Sequence, residues 1–250
     1  QLNIGVQTYN IAAGYMNGNI ADARIVKGTA VYTSAFTPPT APLTAITNTS
    51  FLLNGTDAGI IDKSQTARQV KLVNDTKSST SYTKFLSSSM YFDGTGDRID
   101  IPNDTAYNFG SDNSTLEMWV YPTDVSGTRN LITRGTSGYS GFILSHSGFL
   151  ESVNGSSWGV NITFSSALTA NSWQHIAVVR NGNTWTVYKD GTSVGTGTAT
   201  GSVSSAAQTL TIGERAGQSN FAGYMSDIRL TKGLARYTSN FTAPTAALKG

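Results

Sequence analysis

SWQHIAVVRNGNTWTVYKDGTSVGTG, residues 172–197, decides the fold. Two alternating runs flank Asn181-Gly182-Asn183, and a third follows Asp190-Gly191. Asn-Gly and Asp-Gly between such runs signal hairpins, because both central positions of a type I′ turn need positive φ. Working outward, TLEMWVYP (115–122) has the same period of two, with Leu116, Met118 and Val120 on one face and Glu117, Trp119 and Tyr121 on the other. QTLTIGER (208–215) and YMSDIRLTKG (224–233) continue the series. No segment carries a helical period beyond a turn or two. Short strands with Gly- and Asn-bearing turns predict an all-β, two-sheet antiparallel sandwich.

The composition agrees. Charged residues are 13% of the 250, against about 25% in ordinary globular domains, and Ser, Thr, Asn and Gly fill the gap. That is turn-and-strand composition. A chain of this length buries roughly three quarters of its unfolded surface, so its core needs no staples. The net charge of +2 is too small and too evenly spread for a nucleic-acid stripe. The absence of cysteine excludes disulfides and thiolate metal sites. No apolar run approaches the roughly 18 residues that span a bilayer, and no amphipathic helix is visible, so membrane insertion is not expected. The chain opens on Gln1 in mid-strand pattern (QLNIGV), which predicts a processed product or a segment of something longer. Asn-x-Ser/Thr triplets recur, but at the frequency this composition produces by chance.

One phrase occurs twice. IADARIVKGTAVYTSAFTPPTAP (20–42) and MSDIRLTKGLARYTSNFTAPTAA (225–247) align at an offset of 232 − 27 = 205, which sets Tyr32 on Tyr237, Phe36 on Phe241 and Leu43 on Leu248. LNIG (2–5) answers LTIG (210–213). Residues 49–207 have no earlier counterpart, so the chain holds one whole unit preceded by the tail of another. The expected domains are residues 1–48, the closing strands of a preceding repeat, and 49–250, a complete sandwich. The boundary falls near Ala45–Thr49, after the Pro-bearing TPPTAPLTA.

In order along residues 49–250 stand FLLNGTDAGIIDKS, SSSMYFDGTGDRIDIP, STLEMWVYP, NSWQHIAVVRNGNTWTVYKDG and FAGYMSDIRLTKGLARYTSNFTAPT. Each is weak alone, but five in this order resemble a laminin-G-like module of the concanavalin-A-like lectin/glucanase superfamily. The KGxAxYTSxFTxPT ending resembles a subset common in phage and marine microbial surface proteins, often in tandem. The resemblance implies a jelly-roll sandwich whose first and last strands lie side by side, on an extracellular or virion surface.

The tail at 1–48 cannot bury its apolar residues alone. Ile20, Ile25, Val31, Tyr32 and Phe36 need a partner surface, because an isolated hairpin is marginal in water and its edge invites strand addition. That surface is either an upstream body docking in cis or a neighbouring copy docking in trans. Either way these residues form an assembly junction, and the expected partners are copies of the chain or adjacent repeats.

Catalysis is not expected. Glycosidases use two carboxylates flanking the scissile bond, but Glu117, Glu151 and Glu214 stand singly, with no second acid two residues from any of them. His146 and His175 lack a motif-bearing Ser, and His175 reads as a packed strand histidine. Laminin-G-like modules often hold Ca²⁺ at the rim, which makes Asp93, Asp97, Asp57, Asp62 and Asp227 the candidate ligands, with Asp22 the counterpart of Asp227. The alternative for Asp93 is that it caps the Gly94–Gly96 turn.

For sugar recognition, Trp119, Trp173 and Trp185 sit inside strand patterns and read as core. Trp158 stands in the Gly/Ser-rich NGSSWGV, with Tyr139 in TSGYSGF as its companion and Arg134, Asn154 and Asn161 as hydrogen-bonders. Loops on a rigid sandwich are where binding residues concentrate. Against this stands the packing of Trp158 over an open sandwich end. Three functions follow: a non-catalytic structural or adhesion module of a virion or cell-surface fibre, a dedicated carbohydrate-binding module, and an atypical glycoside hydrolase. The last rests on fold analogy alone.

Overall fold

The computed structural model describes residues 16, 22–41, 43–54, 70–107, 109–135, 139, 141–153, 155, 157–202, 208–215 and 217–249. The chain divides into two compact units, residues 1–58 and 59–250.

In the first unit β1 (Asp22–Val26) pairs antiparallel with β2 (Thr49–Asn54), Ala23 opposite Leu53 and Ile25 opposite Phe51. The connection is tied down locally. The Arg24 guanidinium donates to the Thr44 carbonyl at 2.7 Å, the Leu43 N–H to the Asp22 carboxylate at 3.2 Å, and the Lys27 N–H to the Asn48 carbonyl at 3.0 Å. Residues 49–54 were expected to open the second unit. They extend instead along DARIV, the sequence copy of DIRLT at 227–231, an edge suited to strand addition.

The second unit is a sandwich of two seven-stranded antiparallel sheets. The first sheet runs in the order β11 (Ser157–Thr163), β10 (Gly148–Val153), β9 (Phe142–Ser145), β8 (Asn130–Arg134), β15 (Leu210–Ile212), β6 (Arg98–Ile101), β3 (Lys71–Val73). The second runs β14 (Thr192–Thr198), β13 (Thr184–Lys189), β12 (Gln174–Asn181), β7 (Ser114–Pro122), β16 (Ala222–Lys232), β5 (Ser89–Asp93), β4 (Lys77–Ser79). Helix is confined, among the described residues, to a 3-10 turn at Thr105–Tyr107.

The expected hairpins form, with one difference in turn chemistry. Asp190 and Gly191 have φ of 49° and 81°, the type I′ pattern. In the other turn Asn181 pairs with Thr184, so the central residues are Gly182 and Asn183. Only Gly182 takes positive φ, at 60°, which is the type II′ requirement.

Leu116, Met118 and Val120 face inward, packing with Ile132, Leu144, Ile176, Val178, Trp185 and Ile212 into one core. Each such side chain contributes about 1.5–3 kcal/mol on burial. Glu117, Trp119 and Tyr121 lie on the opposite face, as the alternation predicts. Part of that face is covered by the chain after Gly233, where Ala235, Tyr237 and Phe241 pack on Ala177, Val179 and Tyr188. This strap is pinned along its length. The Thr115 hydroxyl donates to the Leu234 carbonyl at 3.0 Å, the Phe241 N–H to the Gly191 carbonyl at 2.9 Å, and the Ser193 N–H to the Asn240 side chain at 2.9 Å.

Candidate functional site

The first candidate lies on the outward face of the first sheet at its β11 edge. Glu151 opposes Val160 and Ser152 opposes Trp158, so Gly159 is one residue too many for its partner strand. This bulge changes which face Trp158 takes. Without it, alternation would put Trp158 inward with Val160 and Ile162. With it, Trp158 shares the outward face of Ser152, while Leu150 and Asn161 pair on that same face two steps along. Glycine is required at the bulge, because a Cβ on Gly159 would meet the Cβ and Cγ2 of Val153 at 2.7 Å.

Tyr139 joins Trp158 there. The rings stand 5.6 Å apart at 76°, edge to face, and the Ser152 hydroxyl holds the Tyr139 carbonyl at 2.7 Å. Tyr139 is 46% exposed, Trp158 is half-buried, and Asn161 is exposed. Two residues far apart in sequence thus build one amphipathic edge, as the loop composition suggested. Asn154 lies outside the described residues.

Arg134 does not join them. It is 1% exposed and follows Ile132 onto the inward face, where its guanidinium donates to the Tyr107 carbonyl at 2.8 Å and to Asn103 at 3.1 Å. It is therefore not a hydrogen-bonder of the Trp158 edge, because strand parity sets its direction. Inward with it lies Glu151, fully buried, whose carboxylate oxygens accept no hydrogen bond among the described residues. Burial pushes the Glu151 carboxyl well above its ordinary range, against the pull of the Arg180 and Arg134 charges. Arg180 is itself spent on backbone, donating to the Gly182 and Gly201 carbonyls at 2.9 Å each and lying over Trp185.

A second polar cluster sits under the strap. Glu117 has no exposed surface. It accepts from Arg229 Nη2 at 2.8 Å, Arg229 Nε at 3.0 Å and Tyr237 Oη at 2.8 Å, and lies 3.3 Å from His175 Nε2. Burial alone would raise this carboxyl, but the hydrogen bonds from His175, Arg229 and Tyr237 outweigh it and hold it below its ordinary value. Tyr237 is pushed up to about 12, first by burial and then by its bond to the carboxylate. His175 is a packed strand residue, as expected, with 0% exposure. The sequence carried one usable signal for this cluster: Glu117 and His175 alternate with the apolar residues of facing strands.

Among the described residues, the candidate aspartates Asp93, Asp97 and Asp227 do not gather into one group. Asp97 is buried and its two oxygens accept the Asp75 N–H at 2.8 Å and the Asp93 N–H at 2.9 Å. Asp93 accepts the Thr95 N–H at 2.6 Å, the turn-capping arrangement. Asp227 sits at a bulge in β16 with φ of 51°. It lies five residues beyond Ala222, the partner of Asp93, roughly 15 Å away at the rise of a strand. Asp57 and Asp62 lie outside the described residues, and among those described no group of three metal-ligating side chains forms. Asp93 and Asp97 are thus engaged with backbone amides, and Asp227 stands apart from them along β16.

Of the junction residues, Ile20 lies outside the described residues. Ile25, Val31, Tyr32 and Phe36 are 43%, 38%, 47% and 53% exposed.

Solved structures share this architecture. The receptor-binding domain of botulinum neurotoxin mosaic serotype C/D matches with a TM-score of 0.53 at 16% identity, over 70% of this chain and 45% of that one. The botulinum neurotoxin serotype D binding domain matches at 0.50 and 18% identity, over 70% and 46%. Domain 4 of AbnA, an extracellular arabinanase from Geobacillus stearothermophilus, solved with arabinotriose, gives 0.49 and 14%, over 68% and 84%. The chain thus spans just under half the length of the neurotoxin domains. No curated protein matches it by sequence. Residues 93–234, more than half the chain, match a laminin-G family model of the concanavalin A-like lectin/glucanases superfamily. With two antiparallel sheets in jelly-roll form and that match across them, the chain belongs to the laminin-G-like family of concanavalin A-like lectins and glucanases.

Proposed function

We propose that the chain is a non-catalytic adhesion module of an extracellular or virion-surface fibre or array, one that contacts glycans at the Tyr139–Trp158 edge and joins neighbouring units through its terminal strands. The carrying observation is the bulge at Gly159, which turns Trp158 out of the core and against Tyr139. An indole half-buried on an outward face, with exposed Asn161 on the same face, offers a pyranose ring a flat apolar platform beside an amide group.

The carboxylates support a binding role over hydrolysis. Glycoside cleavage needs one carboxyl to protonate the leaving oxygen and a second to attack or to activate water. Glu117 is saturated by Arg229 and Tyr237 beneath the strap. Glu214 is tied to Arg98 at 3.3 Å and accepts the Gly217 N–H. Glu151 is sealed in the core. No described helix is long and apolar enough to cross a membrane.

A glycan array run with the wild-type chain and with Trp158→Ala tests this. An aromatic anchor carries about 2 kcal/mol or more, so the variant should lose roughly thirtyfold in affinity for whatever glycan the wild type binds. No glycan bound by either form removes the recognition role. Release of reducing ends from polysaccharide by the purified chain overturns the non-catalytic one.

A further inference from the structure

The strap that closes the sandwich has a sequence twin in the first unit, and the two share a local conformation. Tyr237 and Phe241 stack with centroids 3.6 Å apart and planes 5° from parallel. Tyr32 and Phe36, at the 205-residue offset, stack at 3.7 Å and 10°. The glycines opening each segment, Gly28 and Gly233, both take left-handed φ, 77° and 86°. Ala30 corresponds to Ala235, which packs on the sheet.

Their surroundings differ. Tyr237 and Phe241 close over Ala177, Val179 and Tyr188, Phe241 meets His175 edge-on at 5.9 Å, and Tyr237 bonds Glu117. Tyr32 and Phe36 have half their surface in water, beside exposed Val31. Such a contiguous apolar patch marks an interaction surface. A clasp already shaped as its docked twin has little ordering left to lose on docking.

We infer that the Tyr32–Phe36 clasp docks on the outward face of a second copy's sandwich, in the place Tyr237–Phe241 holds, with the Tyr32 phenol donating to Glu117. Its occupant is identified by the molecule itself: the one surface on which this phrase is seen seated is the Glu117–His175–Tyr188 face. In the intact chain the resident strap holds that face, so exchange between copies is what links one unit to the next. This rests on the proposed terminal-strand assembly and names its contact.

The test uses the full chain with Tyr237→Ala and Phe241→Ala, which vacates the face, compared with the same chain carrying Tyr32→Ala and Phe36→Ala in addition. Sedimentation velocity should show the first form associating between about 1 and 100 µM, the range of a small interface, with a doubling of sedimenting mass. The second form should stay monomeric. A monomeric first form overturns the inference, as does association that persists without Tyr32 and Phe36. If near-UV circular dichroism shows the double variant unfolded, Tyr237→Ala alone, which opens the place at Glu117 that the Tyr32 phenol takes, serves with the same two outcomes. Neither reading involves sugar, so a monomeric chain that still binds glycan through Trp158 removes this contact and leaves the recognition role standing.

Discussion

The Tyr237 phenol donates a 2.8 Å hydrogen bond to Glu117 Oε2 across 120 residues of sequence. It fastens the strap to the centre of a sheet. The carboxylate it meets has no exposed surface and also binds Arg229 from β16, so one acid joins strand, neighbouring strand and strap. A buried charge is tolerated only when its lone pairs are filled, and here the strap completes the set.

Removing either partner should therefore loosen the strap, by unequal amounts. Tyr237→Phe deletes one bond to a charged acceptor and should cost about 1–2 kcal/mol. Glu117→Gln leaves Arg229 without its counter-charge and should cost roughly 2–4 kcal/mol, less than a fully sealed pair because Arg229 reaches solvent. Urea denaturation of both single variants and the double would measure this. The double should cost less than the sum of the singles, since they share a bond.

The same cluster sets a pH response. The folded-state value of Glu117 is depressed, so its stabilisation is present above the ordinary carboxyl range and is lost as pH falls through the depressed value. Tyr237 is raised to about 12, so its contribution is complete below the ordinary phenol value near 10 and disappears as pH rises toward 12. Glu151, raised by burial, has the opposite sign to Glu117 and favours the fold at low pH. Melting temperature against pH should fall at both extremes, with the acid fall reduced in Glu117→Gln and steepened in Glu151→Gln.

At the bulge, Gly159→Ala should destabilise by about 1–3 kcal/mol, because its Cβ meets Val153 in a strand pair with little room to shift. Adding Val153→Ala removes the opposing Cγ2 but leaves the opposing Cβ, so it should recover only part of that cost. Thermal unfolding of the two variants side by side checks this; equal instability of both would mean the bulge needs glycine for another reason.

Chelation tests the Ca²⁺ expectation directly. A metal bound by the folded form alone should lower the melting temperature by several degrees when EDTA removes it, and an unchanged melting temperature would count against it.

Much of this was legible in advance. The faces of β7, the two hairpins, the packed His175 and the pairing of Tyr139 with Trp158 all follow from alternation, turn chemistry and composition, which act within a few residues. The repeat was plain in the residues as well. What the chain could not disclose locally is parity across strands. The residues around Arg134 allow a hydrogen-bonder at the Trp158 edge, yet register with β15 points it into the core. The Gly/Ser-rich NGSSWGV reads as a connection, yet Trp158 lies on a strand, and an unpaired Gly159 turns it outward.

By itself, then, the order of residues determined which segments are strands, where they turn and that the ending is written twice. Only the assembled sheets decided that β2 lies along β1 and that one copy of the ending closes over Glu117 while the other keeps its rings half in water. The physical reason is range. Backbone preference is settled between neighbours, whereas burial and register depend on which distant strand arrives alongside.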